Sequence, residues 1–153
     1  MNAVMVLFFG ILGFVLIGKA EREHLSDVQI NAKADVMASS AILYRNAAKC
    51  FINANPTHSG SVDWSRINAT PGCVPLGMQN PSSINATVSS GRLYVYSTQA
   101  ASPETLSKIA EKMHNSPIVA KKVGGMAISV AGTLGGLSAP SVIPNDALII
   151  VGN

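Results

Sequence analysis

The 153-residue chain carries a formal net charge of +3, with 48% hydrophobic and 12% charged side chains, which is enough for one domain with a buried core but too little for two. Its eleven Lys and Arg residues are scattered, only Lys121 and Lys122 being adjacent. No basic stripe interleaved with aromatic residues marks a nucleic-acid surface, so nucleic acid is not an expected partner.

The chain opens on an apolar run. Residues 3–18, "AVMVLFFGILGFVLIG", contain no charge and no hydrogen-bonding side chain. As a helix rising about 1.5 Å per residue they cover roughly 24 Å, slightly less than a hydrocarbon core, and Lys19 can carry its ammonium out to the headgroups. A run apolar on every face does not suit the surface of a small domain, so residues 1–20 read as a membrane anchor, with residues 3–19 meeting the bilayer. A signal peptide cut before Glu21 is the first alternative, since Gly18 and Ala20 meet the small-residue rule, but no basic region precedes the run. A type IV pilin leader is the second. Its nearest candidate, Gly13-Phe14, has Gly18 where glutamate belongs.

Charge alone leaves orientation against the preferred topology. Lys19, Arg22 and Lys33 all follow the anchor, and a strict count of cations would hold the domain inside the cell. The two cysteines argue the other way. Cys50 ends a helical pattern and Cys73 sits in the turn "TPGCVP", with no CxxC and no histidine at ligand spacing. A zinc site is not expected, and a Cys50–Cys73 disulfide in an oxidising compartment is, two unrelated buried thiols being the alternative. The domain, residues 21–153, is therefore expected in the periplasm of a bacterium, tethered to its inner membrane.

Residues 25–53 form one long amphipathic pattern. Leu25, Val28, Ala32, Val36, Ser39 or Ser40, Leu43, Ala47 and Cys50 recur at three-and-four spacing, which predicts the face that packs on the domain. A second line, Ile30, Met37, Tyr44 and Phe51, recurs every seven residues; it widens that face or, alternatively, forms a coiled-coil seam to a partner's stalk, as in a homo-oligomer. Neither Gly nor Pro falls between Lys19 and Asn55, so the anchor is expected to continue into this helix as one rod, ended by "NANP".

Residues 55–90 are rich in Pro, Gly, Ser, Asn and Thr and read as a long irregular connection holding one short helix or strand near residues 62–67, with Trp64 plugging the core. "RLYVYS" is strand-like. "SPETLSKIAEKMH" opens with a Ser cap and Pro at the first helical position, predicting a short helix to about His114. In "IVAKKVGGMAISVAG" two β-prone segments flank Gly124-Gly125, a two-residue hairpin signal. "ALIIVG" is continuously apolar, as a central strand covered on both faces is. The expected fold is α+β: an N-terminal transmembrane helix continuing into a long amphipathic helix packed on a small, mainly antiparallel β-sheet.

Catalytic signatures are missing: no GxGxxG, Walker lysine, HExxH or GxSxG is present. His24, His58 and His114 fall near element ends, where solvated polar roles are usual. Glu104 and Glu111 share a short surface helix, and a paired general acid and base there is a remote alternative. "GTLGGLSAP" lacks a following lysine and reads as a flexible loop. No enzyme activity, metal or cofactor is expected.

The apolar anchor, "SDVQINAKADVMASSAILYRNAAKCF", the "SGRLYVYS" strand, the small helix before "IVAKKVGGMAISVAG", and the closing "IPNDALIIVG" together resemble the PilM proteins of thin-pilus, type IVB conjugation systems over nearly the whole chain. The resemblance implies a non-enzymatic inner-membrane component of type IV pilus assembly, in the basal body or pilin transport apparatus. Its implied partners are other pilus assembly proteins and pilin, and there are no catalytic residues to carry over. A minor pilin or pseudopilin-like subunit, with a long apolar helix and an α+β head, is the alternative.

Overall fold

The structure, a computed structural model, describes the backbone of residues 3–114, 118–130 and 137–152, and side chains from residue 27 onward. The chain divides into two compact units, Met1–Lys33 and Ala34–Asn153. The first is helical from Ala3 on. Among the described residues no helix is long and apolar enough to cross a membrane, and the anchor expected at residues 1–20 lies outside the residues whose side chains are described.

Helix α1, Ala3–Ala54, is unbroken. It stops where Pro56 restricts Asn55 to non-helical backbone. The Asn55 amide closes the end, its side-chain Nδ2 donating to the Phe51 carbonyl at 2.9 Å and its backbone N–H to that of Ile52 at 3.0 Å. Within the second unit α1 packs through Ala34, Ala38, Ala41, Tyr44, Ala47, Ala48 and Phe51, all buried, while Val36 is 66% and Leu43 45% exposed. This corrects the expected face. From Ala38 onward the alanines, Tyr44 and Phe51 share one buried cluster with Leu93, Val95, Leu148 and Ile150 of the sheet. Of the seven-residue line, Tyr44 and Phe51 are core, Met37 is half-buried and Ile30 is exposed.

Seven antiparallel strands follow: β1 (Gly60–Val62), β2 (Ile84–Ser89), β3 (Arg92–Ala100), β4 (Val119–Val123), β5 (Met126–Ser129), β6 (Leu137–Ser138) and β7 (Ala147–Gly152), in spatial order β1-β2-β3-β7-β4-β5-β6. Two further helices complete the described elements, α2 (Trp64–Ala69) and α3 (Pro103–Lys112). The expected irregular connection over residues 55–90 is thus corrected. It holds β1, α2 and β2, because Ile84, Ala86 and Val88 alternate inward beneath a polar composition that masks their period. The β2–β3 hairpin turns on Ser90 and Gly91, at φ 50° and 73°, the two left-handed residues of a type I′ turn.

The hairpin expected at Gly124-Gly125 is present. Val123 pairs with Met126, and the glycines sit at φ 54° and 87°. A Cβ at either would meet nothing within 4 Å, so any penalty for a side chain is a backbone penalty. Gly125→Val is expected to destabilise the domain by about 2 kcal/mol, since a β-branched residue resists positive φ. Urea denaturation measures it, and an unshifted midpoint would mean the turn does not need its glycine.

β7 is the middle strand, and all six of its residues are buried. Leu148 and Ile150 face α1, in a core with Leu93, Val95, Val119, Ile109 and Tyr44; Ile149 and Val151 face the other way, with Tyr94, Tyr96 and Ile143. Strand β3 slips register against β7 between Tyr96 and Ala100, and one side chain repairs the ladder there. Ser97, 0% exposed, accepts from the Leu148 N–H at 2.9 Å through its hydroxyl, which in turn donates to the Gln99 carbonyl at 2.6 Å. Ser97→Ala strands a buried donor and is expected to cost about 2 kcal/mol. Denaturant melts of the two proteins test this, and equal stability would show that water takes over the serine's bonds.

Candidate functional site

Three features of the second unit come from side chains that the fold brings together. The first is the joint between the end of α1 and the loop after α2. Cys50 and Cys73 are disulfide-bonded, with Cα atoms 5.3 Å apart, as their positions led us to expect. Cys73 is buried and Cys50 half-buried. Tyr44, one to two turns earlier, stacks on Trp64 at 5.7 Å and donates its hydroxyl to the Val62 carbonyl at 3.2 Å. Phe51 meets the edge of His58 at 5.1 Å, whose Nε2 lies 2.9 Å from the Ser61 carbonyl. Trp64 therefore closes the rim of the core rather than its centre. From this joint the loop "VPLG" carries Leu76 into water, fully exposed.

Burial, then the nearby Asp63 carboxylate, then Tyr96 push the Tyr44 phenol up to about 12. Because the folded value lies above the unfolded one near 10, the native state holds this proton more tightly. The resulting stability is complete below pH 10 and is lost as pH rises through about 12. The expected loss is on the order of 2 kcal/mol. Tyr44→Phe should lower stability at neutral pH, through its lost hydrogen bond, and flatten the decline between pH 10 and 12. An equally steep decline in the variant would assign the titration elsewhere.

The second feature is a surface groove of about 780 Å³ between α3 and the end of β5, lined by Pro103, Leu106, Ala110, Glu111, His114 and Val130 among others. Helix α3 begins as expected: the Ser102 hydroxyl accepts from the Thr105 N–H at 3.2 Å, and Pro103 takes the first position. Glu104 at that end is fully exposed, and the Ser102 hydroxyl, followed by its own backbone N–H, holds its carboxyl below the usual range. That is the opposite of what a general acid at neutral pH needs. Glu111 lines the groove and pairs with Lys108 at 3.4 Å, while Lys112 reaches Asp35 of α1 at 3.1 Å. Both are surface pairs of small energetic weight. Next to the groove, Val123, Met126, Ile128 and Val130 expose their side chains on one face of the β4–β5 hairpin, an apolar strip of the kind that contacts other proteins.

The third feature escaped sequence reasoning. Lys122 is buried, 6% exposed, with its Nζ donating to the Pro140 carbonyl at 3.2 Å and to the Ile143 carbonyl. Lys121, its neighbour, pairs instead with Asp146 at 2.8 Å on the surface. The signal was available: adjacent residues of a strand point to opposite faces, so of two consecutive lysines in a strand with one face covered, one must point inside. Of the three histidines, His58 lies between α1 and β1 and His114 just after α3, and the side chain of His24 lies outside those described. Among the described residues no three His, Cys, Asp or Glu side chains gather as a metal site requires.

In the second unit, the part of α1 from Ala34 onward packs on a seven-stranded antiparallel sheet and is tied at its end by a disulfide, which defines the class: an α+β domain with exposed apolar side chains. The PilM family model matches residues 7–151. The chain belongs to the PilM family. No curated protein matches it. Among solved structures, a PilM protein from Escherichia coli B7A superimposes with a TM-score of 0.59 at 18% identity, covering 79% of this chain and 92% of that one. A PilM protein from Pseudomonas aeruginosa 2192 gives a TM-score of 0.45 at 21% identity, with 78% and 95% covered. The first of these likenesses supports the fold.

Proposed function

We propose that the chain is a non-enzymatic inner-membrane component of type IV, thin-pilus assembly in conjugation, acting in the basal body or pilin transport apparatus. In this reading residues 1–20 anchor it, residues 21–153 stand in the periplasm, and its partners are other pilus assembly proteins and pilin. The observation that carries the proposal is the family match across residues 7–151; membership of the PilM family makes this a pilus-related protein. The apolar run at residues 3–18 supports the anchor. The Cys50–Cys73 bridge supports an oxidising compartment. Exposed Val36, Leu43, Leu76, Met126 and Ile128 support protein partners.

Fusing alkaline phosphatase after Asn153 tests the topology, and an abundant but inactive fusion would place the domain in the cytoplasm. N-terminal sequencing of the membrane-bound protein tests the anchor, and a mature terminus at Glu21 would make residues 1–20 a signal peptide. Deleting the gene should abolish thin pili and the conjugation that depends on them, restored by the intact chain; normal piliation without it would end the assembly role. The 52-residue helix leading into an antiparallel sheet also favours a second reading, a minor pilin or pseudopilin-like subunit. Shearing separates the two, since a filament subunit leaves with the pili and an assembly component stays in the membrane fraction.

A further inference from the structure

Between β6 and Asp146 the chain crosses one face of the sheet without joining it. Residues 139–145 include Pro140 and Pro144 and make no strand ladder. One large side chain, Ile143, enters the apolar cluster of Tyr94, Tyr96, Ile149 and Val151 and is 1% exposed, while Ser141, Val142 and Asn145 face water. Both ends are fixed. At one, β6 pairs with Met126 and Ala127. At the other, Asp146 takes φ 60°, its N–H donates to the Lys122 carbonyl, its own carbonyl accepts from the Ala101 N–H, and its carboxylate meets Lys121.

The middle is held differently. The Ala139 N–H reaches the Gly125 carbonyl at 2.9 Å, and beyond that the tie is Lys122, whose ammonium bonds the Pro140 and Ile143 carbonyls. Among the described residues Lys122 has no carboxylate partner. A buried cation bonded only to neutral carbonyls gains from those charge-assisted bonds but gives up its hydration. Lifting the segment draws Ile143 out of its apolar cluster and breaks the Lys122 bonds, but it returns the ammonium and both carbonyls to water, which recovers part of that cost. The sheet beneath has no such exchange available, since β7 is buried throughout and paired on both edges. Opening of the segment and unfolding of the sheet are therefore separate events of different free energy.

We infer that residues 139–145 form a hinged strap, clipped at its middle by Lys122, that opens while the sheet stays folded and thereby bares the apolar face of Tyr94, Tyr96, Ile149 and Val151. The closed strap is a cover over a preformed surface, and Lys122 is the positioning residue that keeps it shut.

Native-state hydrogen exchange read by NMR on the full-length chain in detergent tests this. The Ala139 amide, which bonds out of the strap to the Gly125 carbonyl, should be protected at least about tenfold less than those of Ile149 and Ile150, through openings insensitive to low denaturant. Lys122→Ala should accelerate the Ala139 amide by a further factor of about ten while leaving the β7 amides within about twofold. If that variant does not fold, Ile143→Val, which trims one methyl from the strap's plug, should produce the same selective acceleration. An Ala139 amide that exchanges at the β7 rate with the β7 denaturant dependence would overturn the inference, as would a variant that speeds strap and sheet equally.

Discussion

Replacing Cys50 and Cys73 together by serine is expected to lower the melting temperature by about 10 °C, through a loss of roughly 3 kcal/mol. The bridge closes a loop of 23 residues in sequence separation, and that loop contains β1, α2 and the turn leading into Cys73. Without the bond the unfolded chain regains the freedom to separate the end of α1 from Cys73. The folded state also loses a rigid joint beside the Tyr44–Trp64 stack. Thermal melts followed by circular dichroism, wild type against the double serine variant and against wild type with reductant, measure the difference. The two destabilised samples should agree; a melting temperature within about two degrees of the oxidised wild type would show that core contacts alone hold the joint. The same variant bears on function. If the apolar tip at Leu76 contacts a partner, its presentation depends on this tie, and mating efficiency should fall even at temperatures where the variant remains folded.

Ile150→Ala is expected to cost about 3–4 kcal/mol, the largest single-residue effect in the domain. Ile150 is 0% exposed, in the strand at the centre of the sheet, paired with Val95 on one side and Val119 on the other. It faces the α1 side of the core. The helix presents mainly alanines there, which have no flexible side chains to swing into a void, so the cavity stays open and the full penalty is paid. Urea denaturation at constant m-value gives the number. A loss under 1 kcal/mol would mean that α1 settles onto the sheet, and that the alanine-lined contact is looser than its burial implies.

The strongest local signals in the sequence belonged to single elements, and those survived in the structure. "ALIIVG" could only be a strand covered on both faces, Gly124-Gly125 could supply the two left-handed residues of a tight hairpin, Ser102-Pro103 could start a helix, and Pro56 could end one. Each of these depends on backbone geometry or on periodicity within about ten residues, and needs no knowledge of the neighbouring element. The two cysteines were legible for a related reason, since a pair without other ligands nearby leaves few chemical fates.

What faces what was decided only by tertiary structure. The aliphatic line through Val36 and Leu43 carries the stronger hydrophobic signal, yet the line of Ala34, Ala38, Ala41, Tyr44 and Ala48 packs, because the pattern along one helix does not record on which side its partner lies. Strand β2 was hidden by its Asn, Thr and Ser residues, which are tolerable there because β1 and β3 satisfy its backbone on both edges. Ser97 and Lys122 carry polar groups into the interior and are accepted only because a slipped ladder offers the first an amide and a crossing strap offers the second two carbonyls. A sequence states the period and propensity of each element; the partners that satisfy the buried polar groups of Lys122 and Ser97 lie 18 to 51 residues away along the chain, and only the fold brings them within bonding distance.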